Sequence, residues 1–295
     1  MAASIQRLRP VIATIAAGGI GGGLAYTFLN RDIHADSGEP QKVFGRGPAF
    51  VSLPLESVQE VNHNTKHLRF RFPKEDNVSG LTVTSAVLTM AWPQNSWHPV
   101  ARPYTPISDM NEPGHLDLLV KKYPDGKQST HLHSLKPGDK LLFAAALRGH
   151  QWKPNAVPHV TLIAGGAGIT PIYQLAHGIL SDPSDKTAVT VVYGVNTDQD
   201  VLLQKEFEAF KSKYGDRFNY LYTVSEPGAG SPWRKGRVTK ELLEQVASSR
   251  EKEDDGEKMV FVCGPPAMEA ALVGSKKEKG ILEQLGYDRT RIHTF

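Results

Sequence analysis

The chain has 295 residues, of which 40% are hydrophobic and 22% charged, and 34 basic residues against 31 acidic ones leave a net charge of +3. This composition predicts a globular protein of about two domains, and the weak, scattered positive charge argues against a nucleic-acid partner. Because Cys263 is the only cysteine, the chain by itself can form neither a disulfide framework nor a cysteine zinc site.

The first predicted element is an apolar segment at the N-terminus. Residues 10–29 contain no charge and have arginines close by on both sides, and their length as a helix spans the ~30 Å hydrocarbon core of a bilayer. We predict a tail at residues 1–9, a single transmembrane anchor at residues 10–29 and a linker at residues 30–47. A cleaved secretory signal is the alternative.

The tail also bears on the compartment. It contains Arg, Ser and Gln but no acidic residue, which is typical of mitochondrial targeting. We therefore expect the anchor to lie in a mitochondrial membrane, the outer one. The charges on the two sides are too balanced to predict the orientation of the anchor.

Short strands dominate residues 48–150. Apolar and polar residues alternate in several runs that Pro, Gly, Asn and Asp turns separate. Strands with little helix between them predict a small antiparallel β-barrel. The predicted strands are Phe50–Val61, His67–Phe72, Ser85–Trp92, His115–Tyr123 and Lys140–Ala146.

Strands and helices alternate in residues 151–295. This alternation predicts a parallel sheet with helices on both faces. The predicted strands are Val160–Ala164, Ala188–Tyr193, Phe218–Val224 and Met259–Cys263. The predicted helices are Pro171–Leu180, Leu202–Lys213, Lys240–Ala247 and Ala267–Leu285.

The segment Arg102–Ser108 combines a cation, an aromatic ring and two hydroxyl groups between prolines that keep the backbone extended. Arg102 offers a bidentate fork for a phosphate, Tyr104 a flat face and Thr105 a hydrogen bond. This set suits a planar cofactor that carries phosphate. Taken alone, it suits a proline-rich edge strand with a surface arginine equally well.

Two glycine-containing turns, Gly165–Pro171 and Cys263–Met268, follow apolar strands of the second region. Glycines let a backbone approach a ligand closely, and the N–H groups at a helix start attract phosphate. Because the carboxyl ends of parallel strands meet at one edge of a sheet, we expect both turns to line one ligand site. Each turn alone is also compatible with a tight strand–helix connection, and Cys263 with a small buried apolar residue.

A third glycine turn, Gly126–Leu132, runs into a short predicted helix in the first region. Ser129 and the neighbouring N–H groups suit a second phosphate, or simply a capped helix start. His131 and His133 have no third ligand at a suitable spacing, so we predict no metal site. No side-chain catalytic triad is evident, which favours a borrowed cofactor as the reactive group.

Together, the Arg-x-Tyr-Thr strand, the Gly-x-x-Ser helix start, the Gly-Gly-x-Gly-Ile-Thr-Pro turn and the Cys-Gly-Pro-Pro turn occur in the order of a known family. From about residue 45 to Phe295 the chain resembles the NADH–cytochrome b5 reductases of the ferredoxin-reductase-like flavoprotein superfamily, and the N-terminal segment makes it most similar to the fungal mitochondrial branch. The resemblance implies an FAD-binding antiparallel β-barrel domain at residues 48–150. It also implies a Rossmann-like NADH-binding α/β domain at residues 151–295, with FAD in the cleft between them.

The resemblance also implies roles for individual residues. Arg102 would pair with the FAD pyrophosphate, Tyr104 would lie beside the flavin ring and Thr105 would bond near its N5. The catalytic set would be Tyr104, Thr105 and Cys263, with the thiol near the nicotinamide. The implied contacts of FAD and NADH are Arg102, Pro103, Tyr104, Thr105, Leu119, Lys121, Tyr123, Gly126, Lys127, Gln128, Ser129, Thr170, Gly165, Gly166, Gly168, Pro171, Glu226, Cys263, Gly264, Pro265 and Met268.

The implied reaction is hydride transfer from NADH to the flavin, followed by single-electron transfers to the haem of cytochrome b5. NADPH-using relatives place Ser-Arg after the third strand, whereas this chain has Ser225-Glu226. Since the carboxylate would repel a 2′-phosphate, we expect NADH. Lys127 and Lys153 are candidates for docking the acidic cytochrome. An NADPH-dependent ferredoxin-type reductase and a membrane-tethered nucleotide-binding protein without turnover are the alternatives.

Overall fold

Two sheets, one antiparallel and one parallel, make up the part of the chain that the structure describes. This computed structural model describes residues 39–45, 48–93, 97–248 and 258–295. Within those ranges, no helix has the length and apolar character needed to cross a membrane. The predicted tail and anchor, residues 1–29, lie outside the described residues.

The antiparallel sheet confirms the predicted barrel-like domain. Its strands follow the order β4-β3-β6-β1-β2-β5, and all neighbours are antiparallel. The strands are β1 (Pro48–Asn62), β2 (Thr65–Arg71), β3 (Ala86–Ala91), β4 (Val100–Tyr104), β5 (His115–Lys121) and β6 (Lys140–Leu147). Helix α1 (Lys127–Ser134) connects β5 to β6 and packs against β3, β4 and β5.

Alternating burial explains why these residues form a curved, one-sided sheet. In β3 every second residue is buried, as the period of two requires. Phe70 and Phe143 lie in the core, with their ring centroids 5.2 Å apart. The N–H of Ile107 donates to the carbonyl oxygen of Asp117 at 2.9 Å. The segment after β4 thus reaches β5 at the opposite edge, and the sheet curls toward a barrel.

The barrel begins before the predicted boundary at residue 48. The N–H of Phe44 donates to the carbonyl oxygen of Ser79 at 2.9 Å. The Phe44 ring is fully buried and contacts Phe72 and Phe143. Burial of such a ring stabilises a fold by about 2 kcal/mol. The last residues of the predicted linker at 30–47 therefore belong to the barrel.

The parallel sheet confirms the predicted α/β domain. Its order is β10-β9-β8-β7-β11-β12, and all neighbours are parallel. The strands are β7 (His159–Gly165), β8 (Ala188–Val195), β9 (Phe218–Val224), β10 (Arg234–Lys235), β11 (Lys258–Cys263) and β12 (Ile292–Thr294). The helices are α2 (Ile169–Ser181), α3 (Gln204–Tyr214), α4 (Lys240–Ser248), α5 (Pro266–Val273) and α6 (Ile281–Gln284). The central strands are apolar because helices α2 and α3 cover one face and α4, α5 and α6 the other.

Two details of this domain differ from the sequence prediction. The predicted helix Ala267–Leu285 is in fact two helices, α5 and α6. Gly274 ends α5 with a φ of 75°, and a side chain there would overlap the backbone of Gly280. A tight loop, closed by a bridge between Gly274 and Lys279, therefore replaces a continuous helix. Strands β10 and β12 were not predicted, because two and three residues are too few to show a period.

Buried contacts join the barrel and the α/β domain within one compact unit, residues 40–295. Gln174 on α2 donates its Nε2 to the carbonyl oxygens of Ser85 and Pro106, at 3.1 Å and 3.3 Å. Leu119 of β5 is buried in the core of the α/β domain. Leu119 therefore packs at the domain boundary, although the sequence suggested a cofactor contact. These contacts set the position of the barrel against the sheet edge where the functional residues lie.

Candidate functional site

A cavity of about 1450 Å³ lies at the carboxyl edge of the parallel sheet, beside the ends of β1 and β5. The strand order reverses at β7 and β11, and such a reversal is where open α/β sheets bind ligands. The cavity exceeds the ~1,000 Å³ upper size of ordinary small-molecule pockets, so it suits an extended dinucleotide. Ten predicted site residues line it: Lys121, Tyr123, Gly165, Gly166, Gly168, Glu226, Cys263, Gly264, Pro265 and Met268.

The two predicted glycine turns pack against each other at this edge. A Cβ on Gly165 would lie 2.8 Å from both the Sδ of Met268 and the Cδ of Pro265. A Cβ on Gly168 would overlap the carbonyl group of Cys263. These two glycines are therefore required by the contact between the turns, rather than by the approach of a ligand as the sequence suggested.

Gly166 is the glycine that is open to a ligand. Its φ is 53°, in the left-handed region, and no described atom lies within 4 Å of the position of its Cβ. A short turn, Gly166–Gly168, leads from it into helix α2, and the N–H of Ile169 donates to carbonyl oxygens of this turn. Thr170 donates its hydroxyl to the carbonyl oxygen of Ala167 at 3.3 Å. Thr170 and Pro171 are buried and shape this turn without lining the cavity.

Cys263 ends β11 with a largely buried thiol. Burial, and then the nearby carboxylate of Glu269, raise the pKa of this thiol to about 12. The thiol is therefore neutral at pH 7, and it does not act as a thiolate nucleophile. Glu269 also accepts the N–H of Gly264 at 3.0 Å, which holds the turn in place. Cys263 thus presents a small, neutral surface at the cavity.

Two tyrosines of the barrel have raised pKa values. Burial, and then the hydroxyl group of Tyr123, raise the pKa of Tyr104 to about 12. Burial, and then Cys263, raise the pKa of Tyr123. Tyr123 lines the cavity together with Cys263, whereas Tyr104, half-buried at the end of β4, does not line it.

Arg102 lies on β4 with an exposed guanidinium group. Its Nη1 donates to the carbonyl oxygen of Ala101 at 2.8 Å. This bond orients the group and leaves its other N–H donors available to a phosphate. Pro103, the next residue, is also exposed. Neither Arg102, Pro103 nor Tyr104 lines the cavity, so this barrel segment forms a separate region.

The side chains at the start of α1 are bonded within the barrel. Gln128 donates to the hydroxyl of Thr89 at 2.9 Å, and Thr89 donates to the carbonyl oxygen of Arg102 at 3.1 Å. Ser129 donates to the carbonyl oxygen of Gly126 at 3.0 Å and accepts the N–H of Tyr123 at 3.2 Å, so it closes the turn before α1 and does not cap the helix. A ligand here would therefore meet backbone N–H groups. The helix start and the Arg102 strand lie together, and their donors fit the phosphates of FAD.

Asp200 joins the two domains beside the cavity and was not predicted. Its carboxylate accepts from Lys121 at 2.7 Å and Asn64 at 3.3 Å on the barrel side, and from the hydroxyl of Thr197 at 2.9 Å. Burial alone would raise the pKa of Asp200, but the hydrogen bonds from Lys121 and Thr197 lower it to about 2. The Thr-x-x-Asp spacing of a capping box was the available sequence signal.

Other cavity residues were also missed by the sequence reasoning. They come from the β1–β2 turn, the segment after β8 and the turn after β10, whose spatial proximity depends on the strand order. These residues include His63, Asn64, Gly194, Asn196, Thr197, Gln199, Arg237 and Val238.

Comparisons with known proteins agree with this geometry. Residues 52–150 match the family described as "Oxidoreductase FAD-binding domain", and residues 162–273 match "Oxidoreductase NAD-binding domain". The chain is 45% identical over 270 residues to "NADH-cytochrome b5 reductase 2" of Pyricularia oryzae, with 89% of this chain and 81% of that protein covered. It is 41% identical to the protein of the same name from Emericella nidulans, with 98% and 92% covered.

Solved structures show the same fold. The cytochrome b5 reductase domain of Ulva prolifera nitrate reductase has a TM-score of 0.73 and 26% identity, with 86% of this chain and 100% of that chain covered. The CS-b5R domains of human Ncb5or, in the NAD+ form, have a TM-score of 0.70 and 19% identity, with 84% and 70% covered. The chain therefore belongs to the NADH–cytochrome b5 reductase family and is an FAD- and NADH-dependent oxidoreductase.

Proposed function

We propose that this protein passes electrons from NADH, through FAD, to a cytochrome b5. The observation that carries the proposal is the cavity at the reversal point of the sheet, which brings Lys121 and Tyr123 of the barrel together with the two glycine turns of the α/β domain. When bound, FAD accepts a hydride from NADH and releases electrons one at a time. A dinucleotide site and a flavin site that share a boundary suit hydride transfer, because the two rings must touch. The name of the relatives supports cytochrome b5 as the acceptor.

In this proposal the barrel, residues 48–150, binds and orients FAD. Arg102 binds the pyrophosphate together with the N–H groups at the start of α1, and Thr105 bonds to the ring system. Tyr104 packs beside the ring, and its high pKa keeps the hydroxyl protonated at neutral pH. The barrel residues therefore supply fixed positions and positive charge and carry no proton in the transfer itself.

The α/β domain, residues 151–295, binds NADH. The backbone of the turn at Gly166 and Gly168 meets the dinucleotide phosphates, since both glycines line the cavity just before α2. Glu226 accepts a hydrogen bond from a ribose hydroxyl. The neutral thiol of Cys263 lies beside the nicotinamide, where it excludes water without adding charge. These contacts align the nicotinamide with the ring held by the barrel.

An absorption spectrum tests the central part of the proposal. The purified full-length protein should show flavin bands that NADH bleaches in the absence of oxygen, and oxidised cytochrome b5 should then restore them. A protein without these bands, or with bands that NADH leaves unchanged, would contradict the proposed function. Bleaching without reoxidation by cytochrome b5 would contradict the acceptor alone.

Residues 10–29 are proposed to anchor the protein in the mitochondrial outer membrane, with the reductase body attached through the linker. The support is the uncharged length of this segment and the composition of the tail before it. Alkaline carbonate extraction of mitochondria should leave the protein in the membrane pellet. Its release into the supernatant would contradict the anchor.

Docking of the acceptor is proposed to depend on charge. Lys127 and Lys153 are exposed and are the candidate contacts for an acidic cytochrome surface. Cytochrome b5 reduction should slow as salt is added, because screening weakens attraction between exposed charges. A rate that is independent of salt would contradict electrostatic docking.

A further inference from the structure

Arg237 is a cavity residue to which the reaction with NADH assigns no role. It is exposed, and it lines the cavity as part of the α/β domain. Among the described residues, no carboxylate forms an ion pair with its guanidinium group. A guanidinium group inside a nucleotide-sized cavity with its donors free is suited to bind an anionic group of the ligand.

Backbone contacts place Arg237 beside the end of β9. The N–H of Gly236 donates to the carbonyl oxygen of Val224 at 2.8 Å, which continues the pairing of β10 with β9. Gly236 has a φ of 127°, and the chain leaves the strand there. Arg237 comes shortly after the end of β10, just as Ser225 and Glu226 come directly after the end of β9. Arg237, Ser225 and Glu226 all line the cavity.

Val238, which follows Arg237, shows where the turn after β10 lies along the sheet edge. A Cβ on Gly194, near the end of β8, would lie 3.0 Å from a methyl group of Val238. The turn thus passes over the carboxyl end of β8. In the sheet order β9-β8-β7-β11, this position is on the side of β7 away from Cys263. A dinucleotide with its nicotinamide near Cys263 would therefore extend its adenosine toward Arg237.

The chemistry of this end of the cavity favours an extra phosphate. A guanidinium group binds a phosphate through two parallel N–H donors, and Ser225, which lines the same cavity, offers a hydroxyl donor as well. In dinucleotide-binding folds an arginine accommodates the ribose 2′-phosphate, whereas a carboxylate accepts from the free 2′-hydroxyl. This chain has both groups, because Glu226 lines the same cavity.

We propose that Arg237, together with Ser225, binds a 2′-phosphate on the adenosine ribose, so that the cavity accepts NADPH as well as NADH. The inference rests on the proposed function, since it requires a dinucleotide in the cavity. The carboxylate of Glu226 would by itself repel the 2′-phosphate of NADPH, and the positive charge of Arg237 offsets that repulsion.

Calorimetric titration of the full-length, FAD-containing protein with NAD+ and NADP+ tests this proposal without turnover. Charge-assisted hydrogen bonds of this kind change affinity by about tenfold or more. Arg237→Leu should therefore raise the Kd of NADP+ by at least that factor, and it should leave the Kd of NAD+ within about threefold. Lys235→Leu is the matched control, because it removes an exposed cation from the adjacent strand β10, and Lys235 does not line the cavity. Glu226→Gln should tighten NADP+ binding.

Each result separates one explanation. Wild-type protein that binds NAD+ but not NADP+ would overturn the proposal and leave the proposed function intact. Equal weakening of both nucleotides by Arg237→Leu would also overturn it, because Arg237 would then bind a group that both share. If Lys235→Leu weakened NADP+ binding as much as Arg237→Leu does, the proposal would be overturned, because the effect would then come from general attraction by positive charge. Protein that binds neither nucleotide would overturn the proposed function itself.

Discussion

Replacing Asp200 by asparagine should destabilise the protein by about 2 kcal/mol at neutral pH. Asp200 is 6% exposed, and its carboxylate lies 2.7 Å from the ammonium group of Lys121. The fall of its pKa from 3.8 to about 2 corresponds to that free energy, since each pH unit is worth about 1.4 kcal/mol. Asparagine keeps the shape of the side chain but leaves the partly buried Lys121 without a counter-charge.

The sign of the pH dependence follows from the lowered pKa. A carboxylate whose pKa is lower in the folded protein stabilises the fold at pH values above its ordinary pKa, and this stabilisation is lost as the pH falls toward the folded value. The difference between Asp200→Asn and the wild type should therefore be constant from about pH 6 to pH 8. It should shrink below about pH 4, as the wild-type carboxylate takes up a proton.

Thermal unfolding measures this difference. A loss of about 2 kcal/mol should lower the Tm by about 5 °C in a protein of this size. Asp216→Asn is the control, because that carboxylate is fully exposed and its ion pair with Lys211 should contribute little to stability. In a Lys121→Met background the effect of Asp200→Asn should fall markedly. An undiminished effect in that background would refute the ion pair as its source.

Three further predictions concern the site. Arg102→Ala should weaken FAD retention about tenfold or more, measured as flavin absorbance per protein after dialysis, because it removes a charge-assisted phosphate contact. Gly168→Ala should lower the free energy of unfolding by about 1–3 kcal/mol in urea, because the added methyl group would overlap the Cys263 carbonyl group. Cys263 in the folded protein should react with iodoacetamide at pH 8 at least about a hundredfold more slowly than in the unfolded chain, because burial raises its pKa to about 12.

Each of these has a matched comparison. Arg71→Ala removes an exposed arginine from another barrel strand and should leave FAD retention unchanged. An equal loss in both variants would point to net charge rather than to Arg102. Gly45→Ala should be near neutral, since no described atom lies within 4 Å of its Cβ position. Alkylation of Cys263 at the unfolded rate would show that the thiol is neither buried nor neutral.

The segments whose periodicity extends over several residues were predictable from the chain. The alternation of apolar and polar residues in β2 and the apolar runs of β7, β8 and β11 predict which side chains are buried. The helix predicted at Ala267–Leu285 shows where this reasoning stops. Helix-favouring residues continue past Gly274, but the left-handed backbone at Gly274 ends the helix. The close packing of Gly274 against Gly280 is a feature of the folded loop that helical periodicity does not reveal.

Local patterns in the chain were enough to predict the two domains and the turns that line the site, because strand period, glycine turns and their order along the chain can be read without the fold. Which of those residues meet depends on the arrangement of the folded elements. Asp200 lies beside Lys121, and Arg237 lines the same cavity as Ser225, because of the order of strands in the sheet and the position of the barrel on it. Contacts across such separations depend on the folded arrangement of whole elements, and no local pattern encodes them.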